Sequence, residues 1–370
     1  MDPQTVFCPN PDCPARGRTG AGTIGVHSQK DRRYKCQVCG KTFSITHGTA
    51  FYRLRTWPET VTLVITLLAH GCPVQAIVVA FGFDERTVVK WAERAGDHGE
   101  QVHDHLVQQP RDLGQVQLDE LRVKKQGGIV WLAMALQVST RLWLGGVLGE
   151  QRDLGLIVRL MRKVRLCALN RLILFCADGF AAYVRAIRQA LREPVRTGRP
   201  GRPQLRPWEQ VVIAQVVKRY ARRRVVGVIR RVVQGTTAQV DDLLQRTQGG
   251  GLINTAYLER LNATFRARLG GLVRRTRALA RQAPTLYRGM YLMGTVYNFC
   301  TYHKSLRLRG AASGPKWLRR TPAMAAGITD HCWTVEELLT FRVPLPRWMP
   351  PKRRGQPSAA TKCLIAQWCT

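Results

Sequence analysis

Carboxylates are scarce in this sequence. Its 370 residues hold 24 Asp and Glu against 58 Lys and Arg, a formal charge of +34. Across residues 179–329 there are 29 basic residues and only five acids: Glu193, Glu209, Asp241, Asp242 and Glu259. Such a surplus says little about fold but much about partners, and the commonest partner is nucleic acid. Long apolar runs are missing too: 61–69 and 129–136 fall far short of the ~18 residues a membrane span needs. The polar, cysteine-bearing N-terminus does not read as a secretory leader, so a cytoplasmic protein with reduced cysteines is expected, with no membrane partner. There is no internal repeat. Apolar residues, in contrast, make up 45% of the chain, which excludes wholesale disorder and leaves material for two or three domains.

Residues 1–50 are rich in Gly, Cys and basic side chains, and 57–105 read as helical, beginning at Trp57-Pro58-Glu59-Thr60. Strand-like runs follow at 115–121, 129–139 and 142–148, joined by turns short enough for an antiparallel meander. A helix near 153–165, a buried strand at 172–176, a helix near 181–192, a Pro/Gly/Arg-rich interruption at 196–207, a strand at 211–217 and a helix over 254–269 complete a multi-domain α/β pattern with a mixed sheet. Residues 285–304 look helical and aromatic, and the remainder irregular.

Cys8 and Cys13 bracket four residues, and Cys36 and Cys39 bracket two. Two short-spaced thiol pairs about a score of residues apart suit one tetrahedral, structural Zn²⁺. His27 and His47 are alternative ligands, and the remaining cysteines sit in apolar surroundings that suit a core. Further on, Cys72 to Phe83 read as a short apolar helix and a turn at Gly82, leading into Asp84-Glu85-Arg86-Thr87-Val88-Val89-Lys90-Trp91. Asp84 can cap the second helix of a helix–turn–helix. Arg86, Thr87, Lys90 and Arg94 then form an outward stripe that can reach phosphates and base edges. A three-helix core with a solvated charged face would carry the same pattern.

Three carboxylates stand out. Asp119 falls on the first strand, Asp178 closes the strand that begins near 172, and Glu259 lies in Asn254-Thr255-Ala256-Tyr257-Leu258-Glu259-Arg260-Leu261-Asn262. On that helix Leu258, Leu261, Phe265 and Leu269 make an apolar stripe, while Glu259, Asn262 and Arg266 share the adjoining face. Laid on the sheet, the helix brings Glu259 over Asp119 and Asp178. Acids so placed can hold two divalent cations, Mg²⁺ with Mn²⁺ as substitute, for in-line attack on a phosphodiester. Glu120 points to the opposite face of the strand, so only one of Asp119 and Glu120 is expected to face the site. Any one of these acids alone reads more readily as a cap or ion-pair residue; the ordered trio in a basic chain favours catalysis.

The sequence resembles bacterial insertion-sequence transposases of the DDE type, in the InsA/InsB-like branch. Arg33-Tyr34-Lys35-Cys36-Gln37-Val38-Cys39-Gly40-Lys41-Thr42-Phe43 is similar to that family's zinc ribbon, and 71–91 to its helix–turn–helix. Leu118-Asp119-Glu120, Ala177-Asp178-Gly179-Phe180 with Tyr183, and Leu258-Glu259-Arg260-Leu261-Asn262 are similar to its acidic motifs, and Tyr297-Asn298-Phe299 with His303 to its C-terminal signature. The resemblance implies a zinc ribbon at 1–50, a helix–turn–helix domain at 55–105, an RNase H-like catalytic core at 112–305 with a basic insertion at about 192–250, and an irregular C-terminal extension at 306–370. It implies Asp119, Asp178 and Glu259 as catalytic Mg²⁺ ligands, Arg260, Asn262 and Arg266 against DNA, and a homo-oligomer that cuts and joins strands at terminal inverted repeats of double-stranded DNA. Two other functions share these features: a sequence-specific DNA-binding regulator with an inactive core, and an RNase H-like nuclease or resolvase.

Overall fold

The computed structural model describes the chain apart from residues 196–197, 199–200, 223, 274–281, 311–314, 351–354 and 370. Two compact units emerge, one made of Met1–Thr60 with Leu339–Thr370 and the other of Val61–Leu338. No helix among the described residues is long and apolar enough to cross a membrane.

In the first unit β1 (Ile24–Ser28), β2 (Arg33–Cys36) and β3 (Thr42–Ser44) pair antiparallel in chain order. Val6, Ala15, Ile24, Tyr34 and Phe43 pack around Cys8, Cys13 and Cys36, a core too small to hold a fold by apolar burial alone. The C-terminal stretch differs from the irregular extension expected at 306–370, because its last part returns to this unit. Leu339 accepts from the Ala50 N–H at 2.9 Å, Arg342 donates to the carbonyls of Ile45 and His47, and Trp368, on the helix Ala359–Trp368, packs against the small core.

The second unit begins within the first turn of α1 (Pro58–Ala69) and continues with α2 (Val74–Phe81) and α3 (Glu85–Leu106). Gly82 ends α2 in the left-handed conformation (φ 69°), which glycine adopts without steric cost. The Asp84 carboxylate accepts from the Thr87 N–H at 3.2 Å and caps α3, as the sequence suggested. There follow β4 (Gln115–Lys125), β5 (Gly128–Gln137), β6 (Trp143–Gly149), α4 (Leu154–Cys167), β7 (Ile173–Asp178), α5 (Ala181–Ala190), β8 (Arg192–Val195), β9 (Gln204–Pro207), β10 (Val211–Ala221), β11 (Arg224–Gln234), α6 (Thr237–Gln248), α7 (Ala256–Arg268) and α8 (Ala283–Thr295).

The six-stranded sheet runs β11-β10-β7-β4-β5-β6. β4, β5 and β6 form the expected antiparallel meander, β7 lies parallel to β4 and β10 parallel to β7, and β11 returns antiparallel along the edge. Side chains alternate across a strand. Gln115, Gln117 and Asp119 therefore share one face with Leu174, Cys176 and Asp178, and α6 covers part of that face through Val240, Leu243 and Leu244. Glu120 belongs to the opposite face, where it meets Tyr183 on α5.

Two boundaries fall elsewhere than the sequence suggested. The helix–turn–helix and the sheet lie in one compact unit, because α3 runs for 22 residues and buries Gly96, Gly99, Val102 and His103 in its second half. His103 stacks between Trp143 on β6 and Tyr291 on α8, with ring centroids 4.8 and 5.4 Å away. The basic insertion at about 192–250 is two hairpins and a helix: β8–β9, β10–β11 and α6. Arg224, Arg230 and Arg231 leave charge on β11, an edge strand that one neighbour suffices to hold. Residues 196–197, 199–200 and 223 of that basic run lie outside the described residues.

After α8 the helix widens into a π-turn over Val296–Cys300. The buried Asn298 side chain accepts from the Trp143 N–H at 3.0 Å and donates to the Trp143 carbonyl at 2.9 Å. It thus completes the outer edge of β6 as a neighbouring strand would. Asn298→Leu should lower stability by about 2–4 kcal/mol, since two buried backbone groups lose their partners. Chemical denaturation measures this, and an unchanged midpoint would mean that the edge of β6 does not depend on the amide.

Candidate functional site

The carboxylate site follows from strand register. β4 and β7 pair in parallel with Gln117 opposite Cys176, so two residues further on Asp119 and Asp178 come level at the end of β7. Gln117, fully buried, then docks α7. Its amide donates to the Asn254 carbonyl at 2.8 Å and to the Asn254 side chain at 3.0 Å, and accepts from the Leu258 N–H at 2.9 Å. One turn along, Asn262 donates to Asp119 Oδ2 at 2.7 Å. These contacts seat Glu259 at the same cleft, a hollow of about 710 Å³ lined by Asp119, Glu120, Asp178, Glu259, Arg152 and Lys218, with Asn262 and Arg266 alongside.

Both Asp119 and Glu120 line this cleft, which differs from the expectation that only one of them would. The two still leave the strand on opposite faces, Asp119 toward α7 and Glu120 toward α5. Arg152 closes the gap by pairing with Glu120 and, at 2.7 Å, with Asp178. The Glu120 side chain is 3% exposed and also accepts from the Tyr183 hydroxyl.

Burial pushes the Asp119 carboxyl up to about 7, helped by the neighbouring charges of Glu120, Asp178 and Glu259. Burial also raises Glu120, against the hydrogen bond from Tyr183. Glu259 moves the other way: Lys218 donates to it at 2.8 Å and holds its carboxyl below the ordinary value, with the Thr255 hydroxyl adding a bond at 3.0 Å. The cleft therefore gathers four carboxylates, of which Arg152 pairs with Glu120 and Asp178 and Lys218 with Glu259.

Of the residues assigned to DNA, Arg86 and Lys90 stand exposed on the first turns of α3, while Thr87 and Arg94 are half-buried there. Arg266 lines the acid cleft. Arg260 instead lines a second pocket on the other side of α7. Asn262 is 1% exposed, and its amide is committed to Asp119, so it positions the carboxylate rather than offering a surface for DNA. Gln117 and Arg152 escape sequence reading, because a strand glutamine and one arginine among many carry no spacing signal.

In the other unit the four cysteines form the one group of three or more potential ligands, among the described residues, close enough to hold a metal. Their sulfurs lie within 4.8 Å of one another, with Cys8 to Cys39 at 3.7 Å and Cys13 to Cys36 at 3.8 Å. Tetrahedral Zn–S bonds of about 2.3 Å set sulfurs about 3.8 Å apart, so the donor set fits zinc. Burial pushes the Cys8 thiol up strongly and the Cys13 thiol up to about 11, a cost that a bound cation would remove. Of the alternative ligands, His27 is exposed on β1, and His47 packs its ring 4.6 Å from that of Tyr52.

Cys36→Ser in the full chain should abolish a stoichiometric zinc signal and open Met1–Thr60 to protease. Elemental analysis showing zinc retained by this variant would remove Cys36 from the centre.

Asp119 yields a stability test. Its ordinary carboxyl value is 3.8 and its folded value about 7, so the unfolded chain gives up this proton first as pH rises. The penalty grows between these two values and is complete above the higher one. Asp119→Asn should therefore stabilise metal-free protein by roughly 1–3 kcal/mol at about pH 8, and by nothing at about pH 4. Thermal melts across pH decide this; a gain that does not fade in acid would point to a cause other than the buried charge.

No protein-family model matches the chain, and no curated protein matches its sequence.

Proposed function

We propose that this chain is a DDE-type DNA transposase, as its motifs suggested, with Asp119, Asp178 and Glu259 as the catalytic carboxylates. The observation that carries the reading is the meeting of Asp119 and Asp178, side by side on adjacent parallel strands, with Glu259 delivered from α7 into the same cleft. The sheet order also supports it: an antiparallel meander whose first strand is joined on its free side by two successive parallel strands, β7 and then β10, is the arrangement of an RNase H-like core.

In this reading Asp119 and Asp178 would hold Mg²⁺ or Mn²⁺, with Glu259 completing the set. The ions would activate a water or 3′-hydroxyl and stabilise the leaving oxygen. The charge around Asp119 is what a divalent cation would relieve. Asn262 fixes the Asp119 carboxylate, Lys218 holds Glu259 in its ionised form, and Arg266 and Arg152 meet the phosphates of double-stranded DNA entering the cleft. The four-cysteine centre acts as a zinc ribbon, α3 presents Arg86, Thr87 and Lys90 to the element's terminal repeats with Arg94 nearer the backbone, and the chain works as a homo-oligomer on DNA in the cytoplasm.

One observation favours a second reading, a DNA-binding regulator with an idle core. Asp178 and Glu259 are already paired with Arg152 and Lys218, which would have to yield before a metal could bind. Purified protein incubated with a duplex carrying the terminal repeats and with Mg²⁺ or Mn²⁺ should give nicked and then joined product. Asp119→Asn, Asp178→Asn and Glu259→Gln should each abolish both while leaving duplex binding within about threefold, because affinity resides in the basic surface. Arg86→Ala and Lys90→Ala should do the reverse, each costing about 1–3 kcal/mol on the repeat and much less on scrambled duplex. Cleavage without joining would indicate a nuclease or resolvase, and repeat-specific binding with no cleavage by the unmodified chain would favour the regulator.

A further inference from the structure

Glu259, Asn262 and Arg266 occupy one side of α7. At 3.6 residues per turn, Tyr257, Arg260, Thr264 and Arg268 fall on the opposite side. That side faces a separate pocket of about 210 Å³, lined by Arg141, Tyr257, Arg260, Arg268, Tyr297 and His303 among others. No Asp or Glu lines it. Elsewhere in this unit the half-buried Arg111 guanidinium is satisfied by the carbonyls of Leu106 and Val107, and the half-exposed Arg152 pairs with Asp178.

The pocket is assembled rather than incidental. Arg141 sits in the turn between β5 and β6 with φ 58°, a left-handed conformation unusual for a residue with a side chain. Its carbonyl accepts from the Tyr297 hydroxyl at 3.2 Å, and its guanidinium lies 3.7 Å over the Tyr257 ring, so the planar fork is held in place. Arg268 carries a buried Nη1 with no hydrogen-bond partner among the described residues. A buried guanidinium donor without an acceptor is costly. Burial lowers the proton affinity of both Arg141 and Arg268, and burial together with Arg141 and Arg260 does the same to His303. Three guanidinium groups converging without a counter-charge describe a site for an anion.

We propose that this pocket binds a phosphate group, gripped by the Arg141, Arg260 and Arg268 forks. Guanidinium forks match phosphate oxygens in pairs, and the small volume suits one phosphoryl group rather than a whole nucleotide. The inference stands apart from the chemistry assigned to the acid cleft, since it needs neither metal nor cleavage. The phosphate can come from a nucleic-acid backbone or from a free ion such as pyrophosphate.

The test titrates the full chain at fixed ionic strength with inorganic pyrophosphate and, separately, with a short DNA duplex. Arg260→Gln, at an exposed position, is compared with Arg122→Gln, an exposed change of equal charge on β4. Loss of one charged fork should weaken the relevant ligand by about tenfold, while Arg122→Gln should leave it within about twofold. Arg268→Gln should act like Arg260→Gln; should it fail to fold, the exposed variant still decides. If pyrophosphate loses affinity and duplex does not displace it, the site takes a free phosphate. If duplex displaces it, or duplex alone loses affinity, the backbone supplies the group. The proposal is overturned if Arg260→Gln weakens neither ligand more than Arg122→Gln does.

Discussion

A carboxylate that has been taken out of water constrains the second unit more than any other group. Asp119 sits partway along a central strand, on the face that α7 covers, with three further carboxylates close enough to raise its proton affinity. A group so placed is costly, and the surroundings are organised around that cost. Asn262 donates to it directly, Arg152 neutralises Glu120 and Asp178, and Lys218 neutralises Glu259. In a chain with few acids and many bases, four carboxylates at one end of a sheet are an arrangement that stability alone would not favour.

What keeps that arrangement in register is a set of buried amides. Gln117 joins β4 to the start of α7. Gln115 accepts from Thr247 on α6 at 2.7 Å, and Gln215 donates to the Asp178 carbonyl at 3.0 Å while accepting from Arg231. Apolar packing would let a helix slide along a sheet at little cost, whereas a buried amide with two satisfied ends fixes its position to within a fraction of an ångström. The glutamines therefore set where Glu259 lies relative to Asp119, although none of them lines the cleft.

The sequence carried part of this plainly. Scarcity made Asp119, Asp178 and Glu259 visible, because each surviving acid in a basic chain needs a reason. The strand meander, the cap at Asp84 and the paired cysteine knuckles were readable from local spacing. The glutamines were not, since a polar residue in an apolar strand reads as an outward position until its partner on a distant helix is known. The role of Asn262 was misread for a related reason: helical periodicity places it on a face without saying whether that face is wet. The edge strand β11 is hidden by its arginines, which mark 192–250 as an insertion although its β-branched Val and Ile content is that of a strand. Nothing in the local pattern could reveal that Leu339–Thr370 closes on the cysteine unit, because that contact spans almost the whole chain.

The charges in the acid cleft are unequal in a way that bears on what it can do. Asp178 and Glu259 are held by cations on flexible stems, and both are partly exposed, so a stronger cation could displace Arg152 or Lys218 at the cost of a solvated ion pair. Asp119 is different: it is buried, and the group that donates to it is the neutral amide of Asn262. Its charge is opposed by burial and by Glu120, Asp178 and Glu259, and in the proposed function a divalent ion would relieve that opposition. In the proposed transposase, Arg152 released from Asp178 would lie beside the space a phosphodiester would enter, so the side chain that neutralises the carboxylates could also meet the substrate.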